Sequence, residues 1–488
     1  MPPDPQTLLS SVIAAVREAG AFVAAEFARP DGPRFSDPIT APLDHEIEML
    51  LRDRLLALVP ARFVGEEAGV LEAPPNGYCW VVDPHDGTRA FLEGRRGSAV
   101  SVALLRHGIP ILGVVYAPTS PDHGPDLIAW AEGGPITRDG QPVSIDLRDR
   151  VLAAGDVVFL NHGAWQRPVW HGTACAPAGF MPLPSIAYRL ARIAVGDGIA
   201  TQTLRPVSAL DIAAGHALLL AAGGVLLAED GVPVTYNERG ESRPSACFGG
   251  APQAVEILRA RVWRGSTEPR REPRVTLTWP RAVPEAVLDR AMGCLFGLAI
   301  GGDLGPDTEL GLIVARSLLG RAAYDKAATN AAVRAWVETG GDIGRASPLL
   351  RAIPIGIWAR DPEAAAEAAR LDAPDSPGNP PLAAAIASAI AGAPSETVNR
   401  WLSAIPMDAI SMGAIPMPAA ADAWPSAAAG ALIGAAQGRG VFPVHQVMRV
   451  LTYRPEEGLG AAHPRPELCW TDDLPDLAEA LSCRNQRR

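Results

Sequence analysis

The stretch Trp80-Val81-Val82-Asp83-Pro84-His85-Asp86-Gly87-Thr88 constrains this chain more than any other. Three apolar residues run into two carboxylates spaced i and i+3, with a proline between them and a Gly-Thr pair directly after. The apolar run reads as a strand buried on both faces, and Pro, Asp and Gly in close succession read as the tight turn that ends it. A strand end held in that way points Asp83 and Asp86 at a common centre, beside the backbone carbonyl of His85 and the hydroxyl of Thr88. An all-oxygen set of this kind suits a hard cation such as Mg²⁺. The same residues also fit a plain turn in which Asp83 and Asp86 accept backbone N–H groups.

Two further stretches bear on the choice. Val64-Gly65-Glu66-Glu67 lies upstream and Leu210-Asp211-Ile212-Ala213-Ala214-Gly215 downstream. With G-E-E, D-P-x-D-G-T and a late D-x-A-A-G in that order, the chain resembles the inositol monophosphatase-like family of Mg²⁺-dependent, often lithium-sensitive phosphatases. The resemblance runs from about residue 8 to 262. It implies an α+β layered sandwich of the sugar-phosphatase type and two or three Mg²⁺ ions held by Glu66, Asp83, the carbonyl of His85, Asp86 and Asp211. It also implies that Glu67 supports the site, that Asp44 and Thr88 orient the attacking water, and that Gly87, Thr88 and Ser185 meet the substrate. Read as residues alone, Glu66 and Glu67 also fit a solvated loop, and Asp44 and Ser185 also fit helix N-caps.

The chain departs from the family pattern in four places. Thr40 and Asp44 are one residue further apart than T-x-x-D, Pro184 stands where glycine is usual, and Leu210 stands where tryptophan is usual. Leu204 and Arg205 fall near the place where some members carry an acidic residue that contacts inositol. The expected substrate is therefore a small phosphorylated metabolite of open identity: an inositol phosphate, a 3′-phosphonucleotide, histidinol phosphate or a sugar phosphate.

Bulk properties narrow the class. A chain of 488 residues predicts two domains, each large enough to bury a core. A net charge of −11 excludes a general nucleic-acid binder, which needs surplus Lys and Arg. The six cysteines are scattered with no C-x-x-C pair, as in a reduced compartment with no zinc site. No basic region precedes an apolar core at the N-terminus, and the apolar run from Ala213 to Ala228 is too short to cross a bilayer. A cytoplasmic, membrane-free homodimer is expected.

Helical spacing predicts helices over Leu8 to Phe27 and Glu46 to Leu58, and β-rich runs predict a hairpin from Ala99 to Tyr116. Residues 263–283 are charged and Pro-punctuated and read as a linker between domains at 1–262 and 284–488. The second half turns Ala-rich and helical. Leu288 to Gly301, Asp307-Thr308-Glu309 and Ala428 to Ala435 resemble segments of the all-α, dinuclear Mg²⁺ ADP-ribosylglycohydrolases. That family has T-D-D at its first metal site, whereas here Gly305 and Pro306 precede Asp307, and Ala421-Asp422-Ala423-Trp424 stands where it has a late D-x-D-T. Asp307, Thr308 and Asp422 are thus read as the remnant of a degenerate site. A bifunctional phosphatase/ADP-ribosylglycohydrolase and a non-catalytic nucleotide-binding regulator are the alternatives to a phosphatase alone.

Overall fold

The computed structural model describes residues 4–35, 41–67, 69–73, 76–277, 279, 281, 283–405, 426–459, 461 and 463–483. Thr40 and Asp422 lie outside them. The chain divides into two compact units at 272/273, inside the segment read as a linker. Residues 263–272 pack with the first unit: buried Trp263 donates its indole N–H to Leu258 O (2.7 Å), and Glu268 accepts from the backbone N–H of Trp170 (2.7 Å).

The first unit begins with two helices, α1 (Pro5–Phe27) and α2 (Pro42–Leu58). Strands β1 (Arg62–Gly65), β2 (Val70–Leu71) and β3 (Tyr78–Asp86) follow, then a one-turn helix α3 (Thr88–Leu92). The meander β4 (Ala99–Arg106), β5 (Ile109–Ser120), β6 (Gly124–Ala131), β7 (Ile136–Arg138) and β8 (Gln141–Val143) completes an eight-stranded sheet in the order β2-β1-β3-β4-β5-β6-β7-β8. Only β1 and β3 pair in parallel within it.

A second, five-stranded sheet has the order β10-β9-β11-β13-β12. Its elements in chain order are β9 (Val157–Leu160), α4 (Pro168–Cys175), β10 (Gly179–Pro182), α5 (Ile186–Ala194), β11 (Ala200–Thr203), α6 (Ala209–Ala221), β12 (Val225–Ala228), β13 (Cys247–Gly250) and α7 (Pro252–Arg259). Helices α5 and α6 pack against each other and against strands of both sheets, so they form the middle layer. Helices α1 and α2 cover the first sheet, while α4 and α7 pack on the second. The result is the α+β layered sandwich.

Apolar periodicity accounts for these layers. Leu8, Val12, Val16, Ala19, Val23 and Phe27 of α1 fall on one buried stripe and join Trp80, Val82, Val102, Leu104 and Leu112 of the sheet in one core. Among the described residues α1 is also the one helix long and apolar enough to cross a membrane. Its buried stripe is what a core helix needs. The N-terminus of α2 differs from expectation: the helix starts at Pro42, so Asp44 sits inside its first turn and Ala41 is the N-cap. Asp44 is therefore not a capping residue.

The second unit is helical: α8 (Glu285–Gly301), α9 (Pro306–Ser317), α10 (Lys326–Glu338), α11 (Ala352–Ala359), α12 (Pro362–Asp372), α13 (Asn379–Ile390), α14 (Ser395–Leu402), α15 (Ala427–Gln437), α16 (Val444–Leu451) and α17 (Leu474–Ser482). Helices α8 and α15 cross closely where Gly297 meets Gly430, since a Cβ on Gly297 would lie 2.0 Å from Gly430 O.

Candidate metal centre

Strand β3 lies between β1 and β4, with Trp80, Val81 and Val82 buried, and it delivers the two carboxylates. It does not stop at Asp83 as the turn reading predicts. The strand runs on to Asp86 with a register break against β4 between Asp83 and Asp86. Pro84 sits in that break, where a residue without an N–H costs no ladder bond. The turn comes one residue later, at Gly87, whose φ of +99° is in the left-handed region and which starts α3.

The third carboxylate arrives from the middle layer. Asp211 is the third residue of α6 and closes a capping box, with Ser208 N (2.5 Å) and Ser208 Oγ (2.8 Å) both donating to its Oδ2. Ligand oxygens of Asp83, Asp86 and Asp211 all lie within 4.8 Å of one another. Among the described residues no other group of three or more acidic, His or Cys side chains meets in this way. Glu66 stands just outside the group, on the bend that follows β1.

These charges raise one another. Burial, then the neighbouring Asp86, Glu66 and Asp211, hold the Asp83 carboxyl well above its usual range. Burial and Asp211 push Asp86 up to about 7, against the hydroxyl of Ser185 and the backbone N–H of Ala187, which donate to it at 2.6 and 2.8 Å. Glu66 is an exposed residue that is nonetheless crowded by protein. Desolvation, then Asp211, Glu67, Asp86 and Asp44, push it up to about 7. Burial, then Asp44 and Glu48, raise Glu67 as well. Arg189, whose positive charge Asp86 feels, donates to Ser185 O, Thr201 Oγ1 and Gln202 O and to none of these carboxylates. A donor set of oxygens carrying negative charge in excess fits a hard divalent cation.

The plain turn reading also holds in part, because Asp83 Oδ1 accepts His85 N at 2.8 Å. The hydroxyl of Thr88 has one proton and two acceptors, His85 O at 2.7 Å and Asp44 Oδ2 at 3.2 Å. Gly87 lies at the turn and is half-buried. Ser185 needs correcting as a substrate contact: it is fully buried, caps α5 by accepting Tyr188 N (2.9 Å), and donates to Asp86. Its hydroxyl is spent inside the protein, on Asp86 and the α5 cap.

Sequence reasoning missed three residues. Glu48 is fully buried and accepts Glu67 N at 2.8 Å. It lies so close to Gly65 that a Cβ there would come 2.3 Å from its carboxylate. Its position one helical turn after Asp44 on α2 was a readable signal. Ser208 was readable too, as the S-x-x-D of a capping box. Ser98, which meets the His85 ring, carried no signal in the chain.

In the second unit, Asp307 Oδ1 accepts Ser347 N (2.9 Å) and Thr308 is buried with its hydroxyl 3.4 Å from Ala299 O. Neighbouring Glu309 is held by Arg465 (2.6 and 2.7 Å) and by the indole N–H of Trp336 (2.7 Å).

The first unit is thus a mixed-sheet layered sandwich with a carboxylate cluster at a strand end. The sequence matches the inositol monophosphatase family over residues 4–257. It is 30% identical over 230 residues to an inositol-1-monophosphatase of Rhizobium meliloti (strain 1021), covering 44% of this chain and 84% of that one. It is 31% identical over 219 residues to the 3′(2′),5′-bisphosphate nucleotidase CysQ of Escherichia coli (strain K12), covering 42% and 81%. The solved inositol monophosphatase from Anabaena (Nostoc) sp. PCC 7120 aligns at 24% identity and a TM-score of 0.42, covering 52% of this chain and 95% of that one. The chain belongs to the inositol monophosphatase family, and its first unit is a phosphatase of that family. The matched residues end at 257, so the second unit lies outside them.

Proposed function

We propose that the first unit is a Mg²⁺-dependent phosphomonoesterase acting on a small phosphorylated metabolite. The observation that carries this reading is the meeting of Asp83, Asp86 and Asp211 within 4.8 Å, with the charges of Asp211 and Asp86 acting on Glu66 beside them. Glu66, Asp83 and the carbonyl of His85 would hold one ion, and Asp83, Asp86 and Asp211 a second. Bound there, Mg²⁺ supplies charge neutralisation for the phosphate and a lowered pKa for water. Asp44 and Thr88 orient that water, while Glu67 keeps the bend bearing Glu66 in place. No Ser, Cys or His nucleophile is required, so the reaction proceeds without a phosphoenzyme. The substrate classes are those with a phosphate ester on a small polar body: an inositol phosphate, a 3′-phosphonucleotide, histidinol phosphate or a sugar phosphate.

Phosphate release from a panel of these esters, with Mg²⁺ and after EDTA, tests the reading. Mg²⁺-dependent release from at least one ester is expected. Equal release in EDTA, or none from any ester, overturns it. For the second unit we propose an ADP-ribosylglycohydrolase-like helical module without a working metal pair, supported by the engagement of Asp307, Thr308 and Glu309 in internal contacts. Release of free ADP-ribose from ADP-ribosyl-arginine by the full chain would refute that.

A further inference from the structure

The His85 side chain is used by nothing in the mechanism above, which takes only its carbonyl. Yet the ring is completely buried, and both nitrogens are engaged. Nδ1 lies 2.8 Å from Asp44 Oδ1, and Nε2 lies 2.9 Å from Ser98 Oγ. Phe91 of α3 closes the ring edge-on at 4.3 Å between centroids, with Phe27 of α1 behind it at 5.4 Å. A carboxylate beside Nδ1 fixes the proton there, so Nδ1–H donates to Asp44 and Nε2 accepts the Ser98 hydroxyl proton.

The order carboxylate, imidazole, hydroxyl resembles the wiring of a serine hydrolase, but the direction of use is different. Ser98 is fully buried and cannot attack a substrate. Asp44 is the end nearer the centre, because its other oxygen, Oδ2, faces the hydroxyl of Thr88. One carboxylate oxygen is thus tied to the strand that carries the metal-binding aspartates, and the other is left to aim.

We propose that the His85 side chain is a positioning residue. It clamps Asp44 Oδ1 so that Oδ2 and Thr88 Oγ1 stay aimed at the attacking water, and Ser98 fixes the ring in turn. The clamp joins Asp44 of α2, His85 of β3 and Ser98, the residue before β4, and adds a second hold on Asp44 to the contact of its Oδ2 with Thr88. This rests on the phosphatase reading of the centre. Outer partners that orient the ligands of a metal site typically contribute about 10- to 100-fold, and the same scale is taken for this clamp beside one.

The test compares four variants with the wild type on its best ester. His85→Leu is expected to lower kcat about 10- to 100-fold, with KM and the Mg²⁺ concentration for half-activation within about two-fold. His85→Asn places an amide N–H where Nδ1 was and keeps the bond to Asp44, so it recovers most of kcat. His85→Gln reaches the Nε2 position and Ser98 but not Asp44, so it stays slow. Ser98→Ala loses about three-fold or less, since the Asp44 bond survives. Equal rates for the Asn and Gln variants, or an effect of His85→Leu confined to KM or Mg²⁺ activation, overturn the proposal.

An NMR readout on metal-free protein stands apart from activity. A slowly exchanging, downfield imidazole N–H proton is expected in the wild type, absent in His85→Leu and moved upfield in Asp44→Asn. No such proton overturns the clamp even where the enzyme is active. A persistent proton in a wild type that hydrolyses no ester brings down the phosphatase reading and the positioning role with it, while the hydrogen bond stands.

Discussion

Two sets of buried aspartates in the first unit are built from the same residue type and end with opposite electrostatics. At the centre, Asp83 and Asp86 face Glu66 and Asp211, and burial with like charge pushes their carboxyls up. Elsewhere in the same unit, Asp122 and Asp126 are equally deep. Burial would raise them as well, but Arg192 and Arg138 beside them prevail and hold both below the usual range. Arg192 grips Asp122 with two bonds of 2.8 Å and reaches Asp197 at 2.8 Å, while Arg138 grips Asp126 at 2.7 and 2.8 Å. Tyr188 OH adds a bond of 2.6 Å to Asp126. The fold carries its own counter-ions for one set and leaves the other open. Carboxylates paired with arginines are held by the fold itself, whereas buried carboxyls that raise one another mark a candidate functional site.

The comparison can be broken by removing one charge from each set. Asp83→Asn is expected to abolish Mg²⁺-dependent turnover while raising the melting temperature of metal-free protein, because it relieves repulsion; calorimetry in EDTA reads the second effect. A lower melting temperature would mean the cluster is compensated after all. Asp122→Asn is expected to do the reverse, costing about 3–5 kcal/mol in urea unfolding because Arg192 loses its bidentate partner, with Mg²⁺ half-activation unchanged.

Acidity sharpens the contrast. A carboxyl whose folded pKa is raised contributes stability below its unfolded pKa and loses it as pH rises through the folded value. Metal-free protein should therefore lose stability as pH climbs from the ordinary carboxylate range through about 7, where Glu66 and Asp86 titrate. Added Mg²⁺ should restore it above that point, since its ligands must be deprotonated. A melting temperature that rises steadily with pH in EDTA would contradict this. The smallest effect is expected from Ser208→Ala, which opens the capping box on Asp211 and should cost about 1 kcal/mol, read by denaturant unfolding, together with a weaker response to Mg²⁺.

Much of this was legible in the chain. The apolar stripe of α1, the hairpin from Ala99 to Tyr116 and the carboxylates of three separate motifs are local patterns, and local patterns survive folding. The break inside β3, the second sheet's β10 and β13, and the true start of α2 were not, because short strands and helix ends are set by their neighbours more than by their own residues. Ser185 shows the same limit: as a residue it fits either a cap or a substrate contact, and only its burial behind Asp86 decides between them.

By itself the sequence determined which side chains could take part, since the oxygen chemistry of Glu66, Asp83, Asp86 and Asp211 is a property of residue type and order. Tertiary structure decided which of them meet, and which groups stand beside each one. Whether a buried aspartate sits above or below its usual pKa depends on a neighbour tens of residues away, and no run of adjacent letters carries that distance. The bond between His85 and Asp44 is of the same kind: two residues 41 positions apart, brought to 2.8 Å by the packing of α2 on β3.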